Sequence, residues 1–159
     1  MNLLYYDDKY LKECHSQVES IWEENDKNYL RLNNNIFYAQ GGGQKGDKGV
    51  IIYDNNEYQV INCIKDENGY PIIITDRPLP QEALQKEVLC KLNWDFRYTQ
   101  MKLHTSLHLL HCFLNEYYEK EIDYPISSNI ESDFAYNKYP EELITEDVIQ
   151  FIQKSLMNY

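Results

Sequence analysis

The sequence lacks any run of about eighteen apolar residues, and its first residues have neither the basic start nor the apolar core of a signal peptide. These absences argue against a helical membrane protein and against secretion, and they predict a cytoplasmic protein. Paired cysteine motifs are absent as well, because no Cys-x-x-Cys occurs. In a reducing compartment, scattered cysteines are expected to be free and mostly buried thiols. They are Cys14, Cys63, Cys90 and Cys112.

Positive charge is scarce too, since 15 lysines and arginines stand against 26 acidic residues and give a formal net charge of −11. This balance argues against a protein that holds nucleic acid by broad neutralisation of phosphates, which requires a basic face. Local basic patches stay open. The candidates are Lys91, Arg97 and Lys102 near a group of histidines, and Arg31, Lys45 and Lys48 near a glycine-rich segment.

The chain has enough apolar material to fold, with 43% hydrophobic residues in 159. That suits one good-sized core or two small ones that share an interface. Up to about residue 95, short apolar or alternating runs separated by Asn-, Asp- and Gly-rich turns predict a small β-barrel or sandwich. The expected strands cover residues 29–32, 36–38, 49–53, 58–64, 70–74 and 88–94, and the ambiguous segment 11–22 is interpreted as a strand.

The pattern changes from alternation to helical spacing after residue 95. Thr99 is a candidate N-cap for a helix with one apolar stripe, and a second helix is expected to start at Thr145 with Val148, Ile149, Ile152 and Leu156 facing inward. Residues 126–136 offer one or two strands between the helices. The expectation is an α+β chain, with a β-barrel module over residues 1–95 and an incomplete two-layer α/β module over residues 96–159.

Two histidines lie four residues apart in the segment HTSLHLLH at residues 104–111. On a helix, His104 and His108 share one face about one turn apart and can bind one metal ion. A tetrahedral zinc ion would still need two more ligands, and the pair could instead be packed and hydrogen-bonded. The metalloprotease interpretation fails, because the position after the first histidine is Thr105 where that class has a glutamate general base.

A glycine-rich segment, FYAQGGGQKGDKGVI, spans residues 37–51 and holds five of the six glycines. Glycine permits positive φ and lets the backbone N–H groups approach a ligand closely, but it also marks sharp bends in sheets. A ligand loop and a structural hairpin therefore both stay open. The spacing excludes a phosphate-binding P-loop, since no Gly-Lys-Ser/Thr opens a helix.

The two segments in this order, with Arg97 before the histidines, closely resemble the alanyl-tRNA editing family. That family comprises the editing domain of alanyl-tRNA synthetase and free-standing AlaX-type trans-editing proteins. The segments SSNI at 127–130 and SDF at 132–134 match the family's sequence after the histidine helix. The resemblance covers nearly the whole chain, and the paired motifs are far more specific than either one alone.

The resemblance implies a hydrolase that deacylates mischarged seryl-tRNA(Ala), and possibly glycyl-tRNA(Ala), with the tRNA acceptor end as partner. It also implies a zinc ion held by His104, His108 and a later Cys-x-x-x-His motif. Carried over as substrate-binding residues are Gly41, Gly42, Gly43 and Gln44 of the loop, and Thr105 beside the metal. No membrane or DNA partner is expected, and a homodimer stays possible.

The chain departs from the family because no Cys-x-x-x-His follows Cys112. On a straight helix Cys112 is about 12 Å and His111 about 10.5 Å from His104 along the axis, too far for zinc bonds of about 2.0 to 2.3 Å. His111 is thus expected to pack, or to support a metal ligand without binding the metal itself. Cys63, Cys90 or another subunit stay open as sources of the remaining ligands. We expect a fragment with weak or no zinc binding, or alternatively a non-catalytic relative that binds tRNA or protein.

Overall fold

The computed structural model describes residues 2–157, which form two compact units. The barrel unit comprises the residues up to Gly41 and Lys45–Tyr98, and the helical unit comprises Gly42–Gln44 and the residues from Thr99 onward. The elements in chain order are β1 (Asn2–Leu3), α1 (Leu4–Asp7), β2 (Glu13–Glu24), β3 (Lys27–Leu32), β4 (Asn34–Asn35), β5 (Gly49–Tyr53), β6 (Asn56–Lys65), β7 (Pro71–Thr75), β8 (Glu87–Leu92), α2 (Trp94–Tyr118), β9 (Ser127–Ile130), β10 (Ala135–Lys138) and α3 (Glu146–Leu156). Single 3₁₀ turns occur at Gln81–Ala83 and Glu141–Leu143.

In the barrel unit six antiparallel strands close in the order β2-β3-β7-β6-β5-β8, which confirms the predicted β-barrel and the α+β class. Two hairpins use two-residue turns in which both residues have positive φ, as Asn and Asp tolerate better than other side chains. Asn25 and Asp26 join β2 to β3, and Asp54 and Asn55 join β5 to β6. Closure leaves no unpaired sheet edge and buries one face of each strand.

The barrel interior is filled by the inward-facing side chains of alternating strand positions. Segment 11–22 is confirmed as the main part of β2, and Val18 on it is fully buried. The other buried apolar members include Leu30, Leu32, Ile36, Phe37, Ile51, Val60, Cys63, Ile73, Val88 and Cys90. The four cysteines are free; Cys63 and Cys90 are buried, Cys14 is half-buried and Cys112 is exposed.

The strand expected at residues 36–38 is wrong, because this buried segment forms no ladder. Side chains satisfy its backbone instead. The Asn35 amide accepts from Phe37 N at 3.0 Å and donates to Phe37 O at 2.8 Å, and the Asp47 carboxylate accepts from Tyr38 N at 2.6 Å. Asx-type bonding of this kind competes with a sheet ladder, and an apolar run alone does not reveal it.

The helix expected to start after Thr99 is α2, and it begins earlier, at Trp94. Asn93 acts as its cap, because Phe96 N donates to Asn93 Oδ1 at 3.1 Å. Asn is as good a cap as Thr, so an N-cap residue type alone did not fix the boundary.

The helical unit contains the rest of α2, the β9–β10 hairpin and α3. The strands predicted within 126–136 are confirmed, with Ile130 opposite Ala135. Thr145 is confirmed as the cap of α3, since its hydroxyl accepts from Val148 N at 3.4 Å. Val148 is fully buried and Ile152 is partly buried, but the inward orientation expected of Ile149 and Leu156 is wrong. The buried stripe of α3 is narrower than its apolar pattern suggests, and those two side chains are 45% and 46% exposed.

Within residues 2–157, none of the helices is long and apolar enough to cross a bilayer.

Candidate metal and substrate site

The two histidines singled out from the sequence stack on each other in the helical unit. The ring centroids of His104 and His108 lie 5.0 Å apart with an angle of 18° between the planes. Their spacing of four residues on α2 brings both rings to one face. Burial, and then the neighbouring His108, lower the pKa of His104. His104 is therefore neutral at physiological pH, which is the form that ligates metals.

Gln44 fixes the tautomer of His104. Its side-chain oxygen lies 3.1 Å from His104 Nδ1, and Gln44 is 5% exposed. Because an amide oxygen can only accept, Nδ1 must carry the hydrogen and Nε2 keeps its lone pair. A hydrogen bond of this type to the non-ligating nitrogen is the usual support of a metal-binding histidine.

The glycines before Gln44 allow the loop to lie against the helical unit's own residues. Gly42 and Gly43 have φ of +59° and +78°. A Cβ on Gly43 would lie 3.0 Å from Ser128 O, and one on Gly42 would lie 3.7 Å from the His104 ring. Gly43 O also accepts from Ile130 N at 3.1 Å. Positive φ together with this close approach explains why glycine stands here.

A cavity of about 110 Å³ lies beside the histidines. The loop, α2 and the segment around β9 and β10 line it: Gly42, His104, Leu107, His108, His111, Tyr124, Pro125, Ser128 and Asn137. Apolar walls with a few convergent polar groups are typical of small-ligand sites.

The polar wall of the cavity is one hydrogen-bonded chain. Ser128 Oγ donates to Asn137 Oδ1 at 2.7 Å, and Asn137 Nδ2 donates to Leu107 O at 3.0 Å and to the Tyr139 hydroxyl at 3.3 Å. Burial raises the pKa of Tyr139, so its hydroxyl stays protonated. That hydroxyl lies 2.9 Å from His111 Nδ1. A tyrosine hydroxyl can both donate and accept, so this contact is a hydrogen bond in either tautomer of His111.

The His111 ring also contacts two aromatic rings. Tyr124 stacks on it at 5.4 Å and 8°, and Tyr139 at 6.0 Å and 9°. His104 is thus supported by an amide oxygen and His111 by a tyrosine hydroxyl. His111 packs as expected, and in addition it lines the cavity, which its helix position did not indicate.

Of the five carried-over residues, Gly42 lines the cavity, and Gly43 and Gln44 approach its lining residues Ser128 and His104. Thr105 and Gly41 do not line it. Thr105 is exposed, and its hydroxyl donates to Met101 O at 3.0 Å within the helix. Gly41 belongs to the barrel unit, where Lys65 Nζ lies 3.3 Å from the position of a Cβ. The loop residues that contribute to the site in the helical unit are Gly42, Gly43 and Gln44.

The histidine pair fits a metal ion as two ligands of a larger set. The lone pair on His104 Nε2, the buried Gln44 support and the shared face meet the requirements for a ligating pair. Within residues 2–157, no cluster of three or more His, Cys, Asp or Glu is arranged to hold a metal. The thiols left open by the sequence are engaged inside the barrel unit, where Cys63 Sγ donates to Phe37 O at 3.6 Å and Cys90 pairs across the sheet with Cys14.

Arg97 does not belong to a surface patch. It is 3% exposed, and its Nε donates to both carboxylate oxygens of the fully buried Asp47 at 2.9 and 2.8 Å. A further N–H of the guanidinium donates to Ile36 O at 2.7 Å. Arg31 likewise binds Asp66 at 2.6 Å. Both arginines are therefore structural residues of the barrel unit.

Three residues of the site were not predicted from the sequence: Tyr124, Asn137 and Tyr139. None of them lies in a motif with chemical meaning, and tyrosine is common in this chain, with 15 residues. Ser128 fell inside a segment matched to the family but had no assigned role. Their importance arises only when the β9–β10 hairpin and α2 pack together.

Known proteins resemble this chain over most of its length. The family model described as "tRNA synthetases class II (A)" matches residues 4–96. The alanyl-tRNA editing protein AlaX-M of Pyrococcus horikoshii is 36% identical over 151 residues, covering 89% of this chain and 66% of that protein. AlaX-L of the same organism is 35% identical over 118 residues, or 73% of this chain. The alanine–tRNA ligase of Sulfurisphaera tokodaii is 37% identical over 108 residues, or 67% of this chain.

The chain spans 66% of the length of AlaX-M, 28% of AlaX-L and 11% of that ligase. The match runs across both the glycine-rich segment and the histidine helix, since it covers 89% of the chain. The chain belongs to the alanyl-tRNA editing family.

Proposed function

We propose that this chain carries the site of an aminoacyl-tRNA editing hydrolase that deacylates mischarged tRNA(Ala) in the cytoplasm. The observation that carries the proposal is the His104–His108 pair, supported by Gln44, beside a small cavity in the same unit. Relatives named for alanyl-tRNA editing support the reaction class. The partner is the acceptor end of the tRNA, which carries the ester to be cleaved.

Serine is the proposed amino acid, with glycine as the lesser candidate. A synthetase pocket for alanine cannot strongly reject a side chain that merely adds a hydroxyl, so a second site has to remove the error. The cavity of about 110 Å³ suits a small side chain. Its wall offers the hydroxyl of Ser128 and the imidazole of His111, which can hydrogen-bond with a serine hydroxyl and would lack a partner with alanine.

His104 and His108 are the residues that would hold a zinc ion. When bound, zinc supplies Lewis-acid polarisation and a template for the ester and the attacking water. Gln44 keeps the hydrogen of the His104 ring on Nδ1 and leaves the Nε2 lone pair for a metal, and Gly42 adopts the positive φ with which the loop lies beside this ring. Because the described residues supply two ligands, we propose that zinc binds weakly to this chain by itself and that hydrolysis is slow without added zinc.

His111 has a separate role, which is to orient the substrate. The Ser128–Asn137–Tyr139 chain reaches His111 through the Tyr139 hydroxyl, and the rings of Tyr124 and Tyr139 contact the imidazole. A ring held in this way can orient the substrate without moving when the reaction occurs, which is the condition for effective stabilisation.

The test measures deacylation of seryl-tRNA(Ala) at saturating zinc by the wild-type chain and by His104→Ala. The variant is expected to lose at least about 100-fold in rate, as loss of a metal support typically costs about 10- to 100-fold and loss of a ligand more. His15→Ala is the matched control, because His15 is exposed on the barrel and paired only with Glu87. Its rate is expected to match the wild type.

Equal rates for wild type and His104→Ala would refute the proposal. Binding of tRNA without any hydrolysis, at any zinc concentration, would instead support a non-catalytic binding module. Zinc content after dialysis gives an independent readout. Tight, stoichiometric zinc in the wild-type chain would contradict the weak, two-ligand site.

A further inference from the structure

Three strand ends meet at one end of the closed barrel, and the rim that they form is called the edge. β2 and β5 begin there and β8 ends there. Leu92 N donates to Lys12 O at 2.8 Å, and Asn93 N donates to Lys48 O at 2.8 Å. Lys12 and Lys48 are therefore brought to the two sides of the same short segment, although they are far apart in sequence. Both lysines are exposed.

Aromatic rings cluster at the same edge. Trp94 lies directly after Asn93, and the Tyr10 ring packs against it at 5.8 Å between centroids. Tyr98 also stacks on Trp94, at 5.7 Å and 18°. Tyr10 is 62% exposed and Trp94 is half-buried, so part of this ring ladder faces solvent.

Lys12 and Lys48 each lie over one aromatic ring at this edge. Lys12 Nζ is 4.8 Å from the Trp94 ring centroid, and Lys48 Nζ is 5.1 Å from that of Phe96. Lys48 and Lys91 also line a groove of about 500 Å³, together with Glu57, Gln59 and Asn93. Lys91 is partly compensated, since its Nζ is 3.5 Å from Glu13. Three lysines thus lie at this edge of a chain of net charge −11, close to the carboxylates of Glu13 and Glu57.

A second aromatic cluster on the barrel shows what distinguishes this edge. Trp22 stacks on Tyr29 at 5.4 Å, and the Arg31 guanidinium lies 5.7 Å from the Trp22 centroid. There, however, the cation is bound by Asp66 at 2.6 Å. The guanidinium is thus neutralised at the second cluster, whereas the ammonium groups of Lys12 and Lys48 contact ring faces.

We propose that the edge formed by Tyr10, Lys12, Lys48 and Trp94 binds an unpaired segment of RNA. Bases stack on the exposed faces of the rings, and Lys12 and Lys48 contact the phosphates, as on other single-strand platforms. The acidic chain cannot hold a duplex by broad phosphate neutralisation, which favours a short single strand. That the strand is RNA rests on the proposed function, whose substrate is a tRNA.

The test measures binding of a fluorescent single-stranded RNA octamer by anisotropy at low salt. Tyr10→Ala is expected to weaken binding by roughly 5- to 10-fold, the lower range for loss of one stacked base. Lys12→Ala with Lys48→Ala is expected to reduce the slope of log Kd against log salt by about 1.4, from two lost contacts to a single strand. Neither change touches the histidine site.

The matched controls are Tyr70→Ala and Lys27→Ala. Tyr70 is 52% exposed and Lys27 is exposed, and both lie on the barrel unit. Their affinities are expected to equal that of the wild type. In a Trp22→Phe background, Trp94 is the remaining tryptophan, and its fluorescence is expected to be quenched by the RNA.

Unchanged binding by Tyr10→Ala, or equal competition by duplex RNA, would overturn the proposal. The outcomes also separate it from the proposed function. Deacylation that depends on His104 together with RNA binding indifferent to Tyr10 and the lysines would leave the editing proposal standing and remove this one. RNA binding that depends on the edge, without any deacylation, would do the reverse.

Discussion

The barrel unit and the helical unit differ in how each buries its apolar side chains. The barrel closes on itself and fills its interior with a long, contiguous set of buried residues. The core of the helical unit is small, with Leu114, Ile122, Tyr139 and Val148 as its buried members. Large apolar side chains such as Tyr124, at 81%, and Ile126, at 65%, are exposed there. The larger buried core thus lies in the barrel unit, whereas the cavity beside the histidines lies in the helical unit.

The polar networks show the same division. In the barrel unit, Arg97 and Asp47 bind each other and the backbone at Ile36 and Tyr38, and both side chains are almost fully buried. In the helical unit, the Ser128–Asn137–Tyr139 chain ends at the cavity through His111. The first network ties backbone segments together, and the second connects the cavity wall to His111.

The largest effect is expected from Arg97→Ala, which would leave the Asp47 carboxylate buried without its partner. Removal of one member of a buried ion pair typically costs about 3 to 5 kcal/mol. Urea unfolding followed by tryptophan fluorescence measures the change, because Trp22 and Trp94 both lie in the barrel unit.

Lys91→Ala is the control for this experiment. Its pair with Glu13 is an exposed one, with side chains 44% and 62% exposed. Exposed pairs contribute at most about 1 kcal/mol. If both variants lose a similar free energy of unfolding, the buried pair is no more important for stability than the exposed one.

A smaller effect, of about 2 to 3 kcal/mol, is expected from Leu114→Ala in the core of the helical unit. Leu→Ala changes in cores cost about 2 to 5 kcal/mol, and a small core can relax more than a closed barrel. Helical circular dichroism is expected to be lost first, while the tryptophan signal of the barrel unit persists. Leu30→Ala in the barrel core should show the opposite order; simultaneous loss of both signals in Leu114→Ala would mean that the units do not unfold separately.

The smallest effect is expected from Thr145→Ala at the start of α3. Loss of an N-cap hydroxyl costs about 1 kcal/mol, here because Val148 N loses its acceptor. The midpoint of thermal unfolding followed by circular dichroism measures it. Thr145→Ser keeps the hydroxyl and serves as the control. An equal decrease in both variants would argue that the methyl group, not the cap, matters at this position.

Much of the fold could be predicted from local pattern. The alternation in β2 and β6 and the Asn/Asp turns are set by neighbours in sequence, and Thr145 was recognised because a cap acts on the next three residues. The strand predicted at residues 36–38 does not form, because side chains of Asn35 and of the distant Asp47 bind the backbone of this segment. The start of α2 was missed because Asn93 and Thr99 are both competent caps, and local sequence did not choose between them.

The sequence by itself determined the barrel, the histidine pair on one helical face, the glycines at the loop and, through the motifs they form, the family. These depend on periodicity and on residues close along the chain. Tertiary structure alone decided that Arg97 is buried, that Tyr139 and Asn137 connect His111 to the cavity wall, and that Lys12 and Lys48 lie beside Leu92 and Asn93. The physical reason is that each of these depends on atoms brought together from segments distant in sequence, whose pairing no local pattern encodes.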